Sequence, residues 1–306
     1  MALPGPQGQG VREPAPQVAI AIHSGLDERA GPDDRSPTMK TQALTILCVL
    51  GAALSSARAD TPRDDGAEDQ LTLPKNRFVI DAFLVLGISD GANPFSISPD
   101  VWYGVTDKLT VGLVHSSQGQ TGLIGGTATT LCIDGESNGC AHVYQNLGLE
   151  ARYQLPPWLL AWALDGGFYF RSFDPVELGL KAGAVGRWHS GKLAIETEPA
   201  LYFGLTNRHG GIEGATATPN GEHLILPVTG IYTFMPKMAA SLQIGVDLPF
   251  QDTGDTWSLP VSLGFHYLVT EKLEMNFSFT LTRLAGGGDA GAFDGRALTL
   301  GGSYAL

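Results

Sequence analysis

An all-β chain, folded as an antiparallel up-and-down barrel of about twelve membrane-spanning strands, is predicted by three features of this sequence. First, residues 258–284 alternate apolar and polar side chains along two arms of more than ten residues each. Leu259, Val261, Leu263, Phe265 and Tyr267 oppose Ser258, Pro260, Ser262, Gly264 and His266; after a tight turn, Leu273, Met275, Phe277, Phe279 and Leu281 oppose Glu274, Asn276, Ser278, Thr280 and Thr282. A period of two is a strand, and a strand of about 9 to 11 tilted residues with one apolar and one polar face is suited to crossing a bilayer. Second, the connections alternate between tight and long. Third, only 16% of the 306 residues are charged and 40 are glycine, against about 25% charged residues in a typical soluble domain.

Taken in order, residues 1–38 are rich in Pro, Gly and mixed charge without periodicity, and read as a disordered or mis-assigned extension. Residues 39–59 read as a secretory signal. Met39-Lys40 is a basic start, residues 43–54 are an apolar run too short to span a membrane as a helix, and Ala57-Arg58-Ala59 is a small-x-small cleavage site. The mature chain is expected to begin near Asp60. Residues 1–59 carry five basic and five acidic side chains, so their removal leaves the net charge at −12. No basic patch interleaved with aromatics is present, which excludes nucleic acid as a partner. Residues 60–75 are acidic and contain Pro, and are expected to be a short periplasmic leader.

Twelve strands follow within residues 76–306, at about 76–89, 94–106, 109–117, 141–154, 158–172, 176–189, 192–206, 222–235, 238–251, 256–270, 273–284 and 295–306. Every second connection is tight: Thr106-Asp107-Lys108, Leu155-Pro156-Pro157, His189-Ser190-Gly191, Met235-Pro236-Lys237 and Thr270-Glu271-Lys272. The others, as at 117–140, 207–221 and 285–294, are mostly longer and richer in Gly and Asp, and are expected outside the cell. Tyr103, Tyr153, Trp158, Trp188, Phe234, Phe265 and Tyr267 lie beside the tight turns, where a girdle at headgroup level is expected. Trp102 also lies there, but strict alternation points it inward.

The last strand carries Leu298, Leu300, Tyr304 and Leu306. In this it resembles the bacterial outer-membrane β-barrels, whose terminal strand has alternating apolar residues, an aromatic third from the end and an apolar final residue. Leu306 stands where Phe is commoner. The resemblance covers residues 76–306 and is one of architecture. Twelve strands are similar to small monomeric porins, and Tyr103-Gly104-Val105-Thr106-Asp107-Lys108-Leu109-Thr110-Val111-Gly112-Leu113 resembles outer-membrane proteins of aromatic-degradation operons. It implies an outer membrane of a Gram-negative bacterium, with lipid, lipopolysaccharide and the barrel-assembly machinery as partners.

With apolar faces toward lipid, the opposite faces place Asp81, Asp100, Glu150, Arg152, Asp165, Arg171, Glu177, Lys181, Arg187, Glu196, Glu198, Asp247, His266 and Glu274 in a lumen. Acids exceed Arg and Lys by nine to four, so a passive diffusion channel for small cationic or neutral solutes is expected, with Glu196 and Glu198 as the first selectivity pair. A salt-bridged plug is the competing reading of the same residues, and a structural or surface-interaction protein acting through its outer loops is the alternative function. Cys132 and Cys140 are expected to form a disulfide in an oxidising compartment. No cofactor or metal is expected. Nor is an enzyme: Ser137-Asn138-Gly139 resembles part of the outer-membrane phospholipase motif, but Gly135 stands where that motif has its His.

Overall fold

The computed structural model describes residues 70–88, 93–124, 131–132, 140, 144–208, 220–251, 253–288 and 291–306. The chain divides into residues 1–46 and 47–306, and every described residue belongs to the second unit. The expected extension, the signal and its cleavage site, the first part of the leader and Ser137-Asn138-Gly139 lie outside the described residues.

The strands are β1 (Phe78–Ile88), β2 (Phe95–Thr106), β3 (Leu109–Val114), β4 (Leu131–Cys132), β5 (Leu147–Gln154), β6 (Ala161–Phe173), β7 (Val176–Ser190), β8 (Leu193–Thr197), β9 (Ala200–Gly204), β10 (His223–Met235), β11 (Met238–Pro249), β12 (Ser258–Thr270), β13 (Leu273–Gly286) and β14 (Arg296–Ala305). Among the described residues two short helices, α1 (Ser117–Thr121) and α2 (Thr253–Thr256), lie between strands. Each wall strand pairs antiparallel with its neighbours in sequence, and β1 pairs with both β2 and β14, which closes the ring. Segments β8 and β9 both lie between β7 and β10 and form one stave broken at Glu198 and Pro199, where proline has no N–H to give the ladder. Segment β4 is a two-residue flap on β2, with Cys132 bonded to Cys140. The wall is therefore a closed barrel of twelve staves, as the alternation predicts.

The burial pattern is that of a membrane barrel. Leu263 is 60% exposed on the outer face while its neighbour Ser262 is 2% exposed on the inner one. Leu149, Phe277 and Leu164 are likewise exposed, and Glu150, Ser278 and Asp165 beside them are buried. Apolar side chains on the outside need lipid rather than water as solvent, and a closed ladder leaves no backbone edge in the hydrocarbon. At the end of the barrel with the tight turns, Trp158 is fully out on the surface and Phe78 lies against Tyr103 at 4.5 Å between ring centroids. Trp102 points inward, lying over Gly112, where a Cβ would come within 2.4 Å of the indole.

Two expectations need correction. The connection between β5 and β6 is longer than the expected Leu155-Pro156-Pro157 turn, because β6 begins at Ala161. Strand β3 ends at Val114: Ser116 caps α1 by accepting a hydrogen bond from Gly119 N at 2.7 Å, so the start of the supposed outer loop is helical. Residues 117–124 then turn into the barrel. The end of the leader packs into the barrel, with Leu71 buried against Ala161, Ala163 and Val185.

Candidate functional site: the lumen

One side of the lumen is filled by charge. On neighbouring strands the register sets Glu150, Gly167, Lys181 and Tyr202 in one row, and Arg152, Asp165, Gly183 and Ala200 in the next. Gly167 leaves the room its row needs: a Cβ there would meet Tyr169 Oη at 2.8 Å and Glu150 Cγ at 2.9 Å. Lys181 Nζ stands 2.6 Å from Asp165, 2.8 Å from Glu198 and 3.2 Å from Glu150. Arg152 lies 3.4 Å from Glu198 and 3.8 Å from Asp165, and 5.6 Å from the Trp102 ring. Tyr169 donates to Glu150. Oxygens of Glu150, Asp165 and Glu198 lie within 4.8 Å of one another, a spacing that would suit a metal ion, but the Lys181 ammonium occupies their centre. The group is held by its own cation, and buried charges persist only when paired in this way.

Two further pairs extend the filled side. Arg187 Nε donates to Glu196 at 2.5 Å across the β7–β8 ladder. Nearer the long loops, Arg171 lies 2.9 Å from His223 Nε2, and His223 Nδ1 lies 2.9 Å from Asp247. The Arg171 guanidinium also stands 5.3 Å from the Tyr202 ring. Glu177 is half-buried on β7 near the same end.

The opposite wall is built from smaller groups. Ser303 donates to Asp81, and Thr280 to Ser262 at 2.8 Å. His266 sits between Glu274, 2.8 Å from Nδ1, and Ser241, 3.0 Å from Nε2. A cavity of about 160 Å³ lies between the two sides, lined among others by Asp81, Arg187, Thr229, Gln243, Glu274 and Asn276.

Residues 115–124 roof this cavity. Asp100 on β2 accepts three hydrogen bonds at the start of the segment, from His115 N at 2.6 Å, Ser116 N at 2.8 Å and Ser116 Oγ at 2.5 Å. Gln243 on β11 grips its end, accepting from Ile124 N and donating to Gly122 O, each at 2.7 Å. Between them Tyr202 donates to Gln120 O, and Leu123 packs against the cluster of Tyr169, Ala200, Tyr202 and Ile225.

None of the fourteen charged or His positions assigned to the lumen is surface-exposed. The structure gathers Glu150, Arg152, Asp165, Lys181 and Glu198, joins Arg187 to Glu196, links Arg171 to Asp247 through His223, and sets Asp81, Asp100, His266 and Glu274 on other strands. Glu196 and Glu198, named as the first selectivity pair, hold different cations: Glu196 faces Arg187, and Glu198 faces Lys181 and Arg152. Sequence reasoning missed Gln243, Tyr169 and Tyr202. All three lie on the inward phase of their strands, so alternation carried the signal, but a search for charge passed over them.

No protein-family model matches the chain, and no curated protein matches it in sequence. Among solved structures, the NanC porin is similar at 10% identity with a TM-score of 0.50, over 74% of this chain and all of that one. The COG4313 outer membrane channel from Pseudomonas putida F1 is similar at 11% identity and a TM-score of 0.47, over 80% of this chain and all of that one. OmpT, an outer membrane protein of Vibrio cholerae, follows at 10% identity and 0.36, over 75% and 96%. With its ring closed between β1 and β14 and its apolar face turned outward, the chain has the fold of the outer-membrane porins and channels, a twelve-strand antiparallel β-barrel.

Proposed function

We propose that the protein is a narrow passive channel of the outer membrane, admitting small cationic or neutral solutes. The observation that carries this reading is the cavity of about 160 Å³ inside a closed barrel, lined by charged, amide and hydroxyl side chains. Twelve staves lie between the filled eight-stranded barrels and the open sixteen-stranded ones, and here one side of the bore is filled and the other is not. Acids outnumber bases along the wall, and carboxylates in a low-dielectric wall favour cations. The NanC porin, a channel by its name, supports the reading through its fold. On this reading the tight turns and both barrel termini face the periplasm, the chain arrives through a signal cleaved near Ala59, and the terminal Tyr304 and Leu306 address the assembly machinery.

Single-channel recording from the purified protein in planar bilayers tests the proposal. Small discrete steps with a reversal potential on the cation side are expected. A chain that inserts, shifts on unheated detergent gels as a closed barrel does, and gives no steps would instead be a structural or surface protein.

A further inference from the structure

We infer that residues 70–75 form a fixed strap across half of the turn end of the bore, and that Leu71 sets its aperture. This inference rests on the channel reading above. The strap is anchored along its length to Asp107 in the turn between β2 and β3 and to the inward positions Thr110 and Gln154 of the wall. Leu71 N donates to Gln154 Oε1 at 2.7 Å, Thr72 Oγ1 to Asp107 O at 2.9 Å, Leu73 N to Thr110 Oγ1 at 2.7 Å and Lys75 N to Asp107 Oδ1 at 3.0 Å.

Its two leucines face the barrel interior. Leu71, 1% exposed, closes against Ala161, Ala163 and Val185 on β6 and β7, and Leu73 packs beside Val79 and Trp102 on β1 and β2. The segment therefore runs inside the mouth from β1, past β2, β3 and β5, to β6 and β7. It covers the turn end of the same staves whose centre is filled by Lys181 and its carboxylates. A solute crossing the cavity must leave past the other staves or displace Leu71. Segments outside the sheet are ordinarily loose unless something ties them down, and four hydrogen bonds with one buried and one half-buried leucine tie this one. Two apolar side chains against an apolar patch make the closure tight at rest, and a carboxylate at position 71 would have to be buried against Ala161, Ala163 and Val185 for it to stay closed.

The test uses the full chain carrying Ala163→Cys, with or without Leu71→Asp. Cys132 and Cys140 are bonded to each other and the third cysteine, Cys48, is replaced by Ser in every thiol variant, so the introduced thiol is the reactive one. Ala163 is fully covered, and a charged maleimide should label the thiol at least tenfold more slowly with Leu71 in place than with Leu71→Asp. The conductance step of Leu71→Asp should exceed that of the unmodified chain by about twofold. The unheated gel shift reports that both variants are folded. Equal labelling rates in folded protein overturn the strap. Faster labelling with an unchanged step overturns Leu71 as the determinant of aperture. Faster labelling where neither protein conducts upholds the strap as a closure and refutes the channel reading instead.

Discussion

The two sides of this barrel solve the same problem in opposite ways. On β5, β6 and β7, long charged side chains reach over glycines and meet in the centre, so Lys181, Glu150 and Asp165 are buried with each other as solvent. On β11, β12, β13 and β14 the inward side chains are smaller: Ser241, Ser262, Ser278 and Thr299 are buried and bond locally or not at all, and Gln243, His266, Asn276 and Ser303 line the cavity. The difference teaches that a polar inner face is not yet a pore. Where opposite charges are in register with small residues between them the wall seals itself, and where only hydroxyls and amides stand, space is left.

The largest effect should come from breaking the filled side. Lys181→Met leaves the buried Glu150 and Asp165 and the half-buried Glu198 without their central cation, and removing one partner of a buried ionic group costs about 3–5 kcal/mol. The temperature at which the folded gel band is lost should fall sharply. Ser278→Ala on the opposite wall should change it little, because the buried Ser278 hydroxyl makes no hydrogen bond that the substitution would remove. Comparable losses would remove the distinction between the sides.

Next in size is the inside-to-outside contrast on β14. Leu300→Arg puts a charge on the lipid face, at about 2–4 kcal/mol near mid-bilayer, and should reduce the fraction that assembles into liposomes. Thr299→Asn keeps a polar group on the buried inner face and should assemble normally. Equal yields would mean that the phase of this strand is reversed.

Smaller again is the roof. Asp100→Ala removes the acceptor of three hydrogen bonds at the start of residues 115–124, each contributing roughly 1 kcal/mol, while Gln243 still holds the other end. Larger, noisier conductance steps are expected, and steps of unchanged size and noise would show that the segment does not limit the current.

The smallest change should come from Glu196→Gln combined with Glu198→Gln. These acids face Arg187, Lys181 and Arg152, so neutralising them exposes bases and moves the reversal potential toward anions. The shift should be clear at low salt and fade as the Debye length shrinks from about 30 Å at 0.01 M to about 3 Å at 1 M. A reversal potential that does not move at 0.01 M would place charge selection elsewhere.

How much of this was legible in the sequence follows from what each signal encodes. Alternation has a period of two, so it fixes which face each side chain takes; Trp102, buried against the grain of the aromatic girdle, shows how far that rule holds. The tight turns fixed the order of staves, since consecutive strands joined by short turns must pair. Alternation says nothing of height along the barrel, and that decides whether Lys181 meets Glu150 across Gly167 or misses it. The break at Pro199 was written in the chain, though a continuous stave was expected there. The inward turn at Ser117-Gln118-Gly119-Gln120 had no periodicity to announce it, because its anchors Asp100 and Gln243 are remote in sequence. For the strap a signal did exist: Leu71-Thr72-Leu73 alternates within an otherwise acidic leader.

Thiol accessibility measures the off-centre bore most directly. Thr229→Cys and Asn276→Cys place a thiol on the cavity wall, and Ala200→Cys places one in the sealed cluster beside Tyr169 and Tyr202. In folded protein a small water-soluble reagent should label the first two readily and the third only after heating. Labelling of Ala200→Cys at the rate of the other two, with all three folded, would contradict a lumen that is filled on one side and open on the other.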